Sequence, residues 1–166
     1  MPRGGMGTHQ SASMLSDEWL TPPHIIAALG EFDLDPCACS EPRPWATAKR
    51  HYTRGDNGLR QPWDGRVWCN PPYGGPSVVG PWMRRMKDHG RGTALIFART
   101  ETEVFHDTVW ERATGVLFFV GRLYFHRRDG SRAVANAGAP SCLVAYGQRD
   151  LEILLRSGLP GKMVAL

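Results

Sequence analysis

No apolar run in this sequence approaches the length that crosses a membrane, and its first residues contain no signal-peptide hydrophobic stretch. A membrane partner is therefore not expected, and a cytoplasmic location is. Cysteine is scarce, with only Cys37, Cys39, Cys69 and Cys142. The first two are spaced C-x-C, and no second close pair exists to complete a zinc cluster or a disulfide frame. Cys69 and Cys142 lie inside apolar runs, where a free thiol packs as a small hydrophobe. His24, His51, His89 and His126 are scattered without ligand spacing, so no metal is expected. There is no internal repeat. At 166 residues the chain has room for one domain with a real core, and not for two comfortable ones.

Acidic residues are outnumbered, 16 against 20 Lys and Arg, for a formal charge of +4. The basic residues are clustered: Lys49-Arg50-His51 with Arg54; Arg84-Arg85 with Lys87 and Arg91; and Arg122 with His126-Arg127-Arg128 and Arg132. Clustering of this kind favours a polyanionic partner.

Residues 1–16 are rich in Gly, Ser and Met without apolar periodicity, and are expected to form a disordered tail, with one folded domain over 17–166. Thr21 is a suitable N-cap for a short helix through "PPHIIAAL" that stops at Gly30. "FDLD" alternates apolar and acidic residues up to Pro36, as a strand that delivers an acid to its end. Beyond it the chain is irregular, with a helix expected over Thr47 to Tyr52. "RVWCN" is a strand, followed by a helix from about Gly80 to His89. "TALIFA" and "GVLFFV" are apolar runs suited to buried strands. Between them "TEVFHDTVWERA" is a helix with Val104, Phe105, Thr108 and Val109 inward. Asp129-Gly130 marks a hairpin turn in "RLYFHRRDGSRAVA", "SCLVAYG" is a last strand, and Leu151 to Arg156 a short helix. Strands alternating with helices predict an α/β, minimal Rossmann-like domain, its sheet mostly parallel with a C-terminal antiparallel strand pair.

The stretch "VWCNPPYGG" concentrates the chemistry. Ligands of open α/β sheets sit beyond the carboxyl ends of the strands, where Asn70 to Tyr73 should lie. Asn70 offers a side-chain carbonyl, and the following proline forces its backbone to be extended. Pro71 contributes a carbonyl from a φ-locked position, and Pro72 completes the rigid pair. Two fixed acceptors can thus grip one –NH₂ group while Tyr73 supplies a flat face for a planar ring. The implied target is a planar amine such as the exocyclic amino group of adenine. Accepting both hydrogens favours a pyramidal nitrogen whose lone pair can attack.

N-P-P-Y in this position resembles the catalytic motif of amino-directed methyltransferases that use S-adenosylmethionine. The wider pattern resembles the phage-type DNA N-6-adenine methyltransferase family, from Asp17 to about Tyr146. "DEWLTPPHII", "EFDLDPCA", "RGDNGL..PWDG.VWCNPPYG", "IFARTET.VFHD" and "GRLYF" occur in the family's order. The resemblance implies a methyltransferase domain with S-adenosyl-L-methionine as cofactor and double-stranded DNA as partner, in a host cytoplasm if phage-encoded. It implies Asn70, Pro71, Pro72 and Tyr73 as catalytic residues, and Trp19, Thr21, Pro22, Asp35, Pro36, Asp56 and Asn70 beside the cofactor. Asp35 is expected to face the cofactor's methionine end and Asp56 its adenosine. Arg84, Arg85, Arg122, Arg127, Arg128 and Arg132 are expected to hold DNA phosphates. Many methyltransferases carry a Gly-x-Gly turn after the first strand, and "DPCACSEPRPW" has none, so the cradle must be built differently. With no room for a separate target-recognition domain, a relaxed sequence preference or a homodimer sharing the duplex is expected. The same clamp is compatible with methylation of an RNA base or of protein glutamine, and a non-catalytic nucleic-acid-binding remnant is the alternative from another class.

Overall fold

The computed structural model describes residues 18–166, so the tail expected over 1–16 lies outside the described residues. A seven-stranded sheet has the order β2-β1-β3-β4-β6-β5-β7. In chain order the strands are β1 (Leu34–Asp35), β2 (Arg50–His51), β3 (Val67–Cys69), β4 (Gly92–Phe97), β5 (Gly115–Phe119), β6 (Ser141–Tyr146) and β7 (Gly161–Ala165). The helices are α1 (Pro23–Leu29), α2 (Pro76–His89), α3 (Glu103–Phe105), which runs on into a π-helical turn over His106–Trp110, and α4 (Gln148–Arg156).

Only the first half of the sheet is parallel. The ladders β1·β2, β1·β3 and β3·β4 are parallel, whereas β4·β6, β5·β6 and β5·β7 are antiparallel and longer. This corrects the expected mostly parallel sheet with one terminal antiparallel pair. β6 inserts between β4 and β5, and β7, unread in the sequence because Gly161 and Lys162 dilute its apolar pattern, pairs along β5.

The helix expected over Thr47 to Tyr52 is absent and β2 takes its place. Arg50 N–H bonds to Asp33 O at 3.1 Å and Tyr52 N–H to Asp35 O at 2.9 Å, so pairing with β1 overrides local helix propensity. Connections from β1 to β2 and from β2 to β3 use no α-helix. They run through irregular chain and the 3-10 turns Arg54–Asp56 and Gly58–Arg60, which is how so few residues span two crossovers.

Two apolar layers cover the sheet. Leu34, Val67, Cys69, Ala94 and Val144 face one side with Met83 and Met86 of α2 and Val104, Phe105 and Val109 of the α3 segment. Trp68, Leu95, Leu117 and Leu143 face the other with Ile25 and Leu29 of α1 and Leu154 of α4. The inward set expected for the α3 segment, Val104, Phe105, Thr108 and Val109, is buried. The helix α2 begins at Pro76, earlier than expected, because a proline at the first turn forfeits no bond; Pro81 sits within it. The Asp129-Gly130 hairpin is present, with Gly130 N–H to Arg127 O at 2.8 Å, but its flanks make only a single bridge, His126 with Arg132. A further bridge, Leu20 with His126, binds the N-terminal segment to it.

Candidate active site

The strand order places a switch point at β1. The chain leaves β1 for β2 on one side and returns to β3 on the other, and such a reversal opens a crevice at the carboxyl ends of the strands. Asp35 is the last residue of β1, and Asn70 follows the last residue of β3; the two strands pair with Leu34 level with Val67. Both residues line one cleft of about 290 Å³, part of it open to solvent, together with Trp19, Thr21, Cys37, Arg43, Thr47 and Trp68. A wider, shallower hollow of about 620 Å³ lies between α1 and α4, lined by Leu29, Arg66, Arg149 and Arg156. It holds none of the sequence-expected site residues. The narrow cleft is the one with paired chemistry.

Asp35 is buried, and its partners are neutral. Thr47 Oγ1 donates to Oδ2, and Cys37 N–H donates to Oδ1 at 3.1 Å. Burial disfavours the charged carboxylate and pushes its pKa up to about 6; the hydrogen bonds from Thr47 and Cys37, then the more distant Arg43 charge, offset part of the rise. No side-chain cation forms an ion pair with Asp35 among the described residues; Arg43 instead donates to Cys39 O at 2.8 Å and pairs with Glu41 at 2.7 Å. Two more groups in the lining lack a complement. The indole N–H groups of Trp19 and Trp68 are buried and have no hydrogen-bond partner among the described residues. A cleft with an uncompensated acid and two idle donors fits a ligand carrying both an ammonium and an acceptor such as a carboxylate.

Asn70 is half-buried. Its Nδ2 donates to Thr21 Oγ1 at 3.2 Å, Tyr73 Oη lies 3.5 Å from its Oδ1, and the Cys37 thiol donates to its main-chain carbonyl at 3.2 Å. Burial raises the Cys37 thiol well above its ordinary pKa, as does the Cys69 sulfur 3.8 Å away, so it stays a neutral donor. The Tyr73 ring packs against Phe97 at 4.8 Å and edge-on against Phe125 at 5.4 Å, forming an aromatic wall behind Asn70. Burial also pushes the Tyr73 hydroxyl well above its ordinary value.

The remaining sequence-expected residues fall in two groups. Thr21 is not the cap of α1, since Pro22 occupies the cap position and the Thr21 hydroxyl is committed to Asn70. Pro22 and Pro36 are buried beside the cleft. Asp56 is exposed and does not line it; its carboxylate accepts from Thr53 N–H at 2.7 Å and Thr53 Oγ1 at 2.8 Å, capping a 3-10 turn. That turn is nonetheless held close to Asp35, because at Gly58 a Cβ would meet Pro36 O at 1.8 Å, and only glycine permits the approach. Thr47, Arg43 and the Trp68 indole were not singled out in the sequence. Thr47 lies in "WATAKR" with no motif around it, and its partnership with Asp35 depends on a return of the chain that no local pattern records.

Among the expected DNA contacts, Arg127 is exposed on the hairpin, and Arg128 pairs with Glu18 at 3.3 Å and donates to Glu41 O at 3.1 Å. Arg132 stacks over Tyr124 at 3.9 Å, and Arg122 donates to Ala137 O at 3.1 Å. Arg84 and Arg85 belong to α2, where Arg84 lies 3.6 Å from Asp107 and Arg85 donates to Gln61 O at 3.1 Å. The structure thus brings the hairpin arginines beside the N-terminal segment that borders the cleft, and leaves the α2 pair outside its lining. No group of three or more metal-ligating side chains occurs among the described residues, and none of their helices is long and apolar enough to cross a membrane.

A three-layer α/β sheet with acid and amide at the ends of adjacent strands, astride the switch point, is the layout of a methyltransferase-like fold. The chain belongs to the DNA N-6-adenine-methyltransferase (Dam) family, whose model matches residues 8–154. The activity that goes with this family is methylation of adenine N6 in DNA. No curated protein and no solved structure matches the chain.

Proposed function

We propose that this protein transfers a methyl group from S-adenosylmethionine to the N6 amino group of adenine in double-stranded DNA, at short or relaxed recognition sequences. The observation that carries the proposal is the shared cleft of Asp35 and Asn70: one buried acid lacking a cation beside one amide oxygen facing a site for an amine. The cofactor supplies an electrophilic sulfonium-bound methyl group. Asp35 receives its α-ammonium, and the idle indole donors of Trp19 and Trp68 serve its carboxylate. Pro22, Pro36 and Thr47 shape that end, and Asp56 belongs to the adenosine end through the family resemblance alone.

On the substrate side, adenine must leave the duplex to enter the cleft. Asn70 Oδ1 and the Pro71 carbonyl accept its two amino hydrogens, which localises the nitrogen lone pair and stabilises the positive charge that develops there. The wall of Tyr73, Phe97 and Phe125 holds the ring, and Pro72 keeps the turn rigid. The hairpin arginines hold phosphate. Likeness to phage-type sequences supports a phage origin.

The test is incubation with labelled S-adenosylmethionine and DNA, followed by identification of the modified nucleoside. Label in N6-methyladenine supports the proposal, whereas label in RNA or in glutamine alone refutes it. Asn70→Ala should retain the circular dichroism and melting of the parent while turnover falls by about 100- to 1000-fold, the scale of removing one aligned transition-state partner. A remnant without catalysis would show no saturable heat on titration with the cofactor.

A further inference from the structure

An amide side chain is nearly symmetrical in shape, so packing alone does not decide which end faces a ligand. Asn70 is useful to an amine only with its oxygen turned to the cleft. That orientation leaves the –NH₂ end facing protein, where a donor without an acceptor costs free energy. The acceptor is Thr21 Oγ1, 3.2 Å from Asn70 Nδ2. Thr21 is buried and itself held in place: Trp45 Nε1 donates to its carbonyl at 3.2 Å, and the adjacent Leu20 exchanges main-chain bonds of 2.8 and 3.0 Å with His126. Its place before α1 would suit a helix cap, yet its hydroxyl is spent on Asn70 instead.

We propose that Thr21 is a positioning residue that sets the Asn70 amide, nitrogen toward the protein and oxygen toward the substrate amine. The catalytic consequence rests on the methyl-transfer function proposed above; the hydrogen bond does not. Without the hydroxyl, the buried nitrogen loses its acceptor and the amide turns over. Its two N–H groups would then confront the two N–H groups of the substrate.

Thr21→Val and Thr21→Ser in the full chain separate this role from mere packing or cofactor contact. Thr21→Val should lower kcat by about 10- to 100-fold, as expected when a reacting group is misplaced. Cofactor Kd, measured by calorimetry without DNA, should stay within a factor of about three, and Thr21→Ser should restore kcat to within a factor of about five. The side-chain amide NMR signals of Asn70 should move in the valine variant and not in the serine variant. Retained kcat in Thr21→Val, a loss carried by cofactor Kd instead of kcat, equal damage from serine and valine, or unmoved amide signals would each overturn the proposal. Should the parent protein methylate no DNA adenine, the proposed function fails by itself, and the amide signals still decide whether Thr21 orients Asn70.

Discussion

Two aspartates are buried at opposite ends of the strands, and they are treated differently. Asp150, at the start of α4, receives Arg66 Nε and Thr93 Oγ1 on one oxygen at 2.8 and 2.9 Å. The same guanidinium donates to the carbonyls of Leu29 and Glu31 at 2.8 and 2.9 Å and lies 3.9 Å over the Phe32 ring, so only its Nη2 is left without a partner among the described residues. One buried cation thus ties α1, β3 and α4 together. Asp35, at the end of β1, has neutral donors alone and no ion pair. A chain able to neutralise one buried acid has left the other to be neutralised by something that arrives. The first carboxylate is structural and the second fits a binding role.

Substituting the paired acid should have the larger effect on stability. Asp150→Ala leaves Arg66 as an uncompensated buried charge and should cost about 3–5 kcal/mol in urea unfolding. Any loss of cofactor affinity in folded Asp150→Ala would show that the two ends of the sheet are coupled.

Asp35→Asn should do the opposite. The native-state pKa of Asp35 is raised to about 6 from an ordinary 3.8, so the native protein binds the extra proton between those values. Stability contributed by the protonated form is complete below about pH 4 and lost as pH rises through about 6, a swing of about 3 kcal/mol. Asparagine can keep both polar contacts, accepting from Cys37 N–H and donating to Thr47 Oγ1, without a charge to desolvate. The variant should therefore be more stable than the parent above pH 6 and lose that advantage near pH 4, while its cofactor affinity collapses. In the parent, cofactor affinity should rise as pH climbs through about 6, because an ammonium needs the carboxylate. A flat affinity profile between pH 5 and 8 would dissociate Asp35 from the ammonium.

How much of this was legible in sequence follows from the range of each interaction. β3, β4, β5 and β6 declare themselves as apolar runs, and Asn70 and Asp35 are marked by the prolines that end their strands. The β2 strand is two residues long and exists only through its pairing with β1, so local propensity in "ATAKRHY" pointed to a helix instead. Insertion of β6 between β4 and β5 is a tertiary choice, and no strand pattern encodes its neighbour. Thr21 was legible as a residue that mattered, but its partner lies 49 residues away. Asp56 shows the reverse: a motif residue whose visible work is to cap a turn.

The smallest expected effect concerns DNA, and it compares the two sets of arginines. Arg127 projects from a hairpin joined to Leu20 beside the cleft, whereas Arg84 lies on α2 facing Asp107. A residue that neutralises one phosphate contributes about 0.9 to the slope of log K against log salt concentration. Arg127→Gln should reduce that slope by about one. Arg128→Gln should reduce it by less, because Arg128 must first be released from Glu18. Arg84→Gln should leave the slope unchanged if the duplex enters over the hairpin. Measured by fluorescence anisotropy over a salt series, a slope lowered by Arg84→Gln and untouched by Arg127→Gln would move the DNA to the α2 face and require the adenine to reach Asn70 from that side.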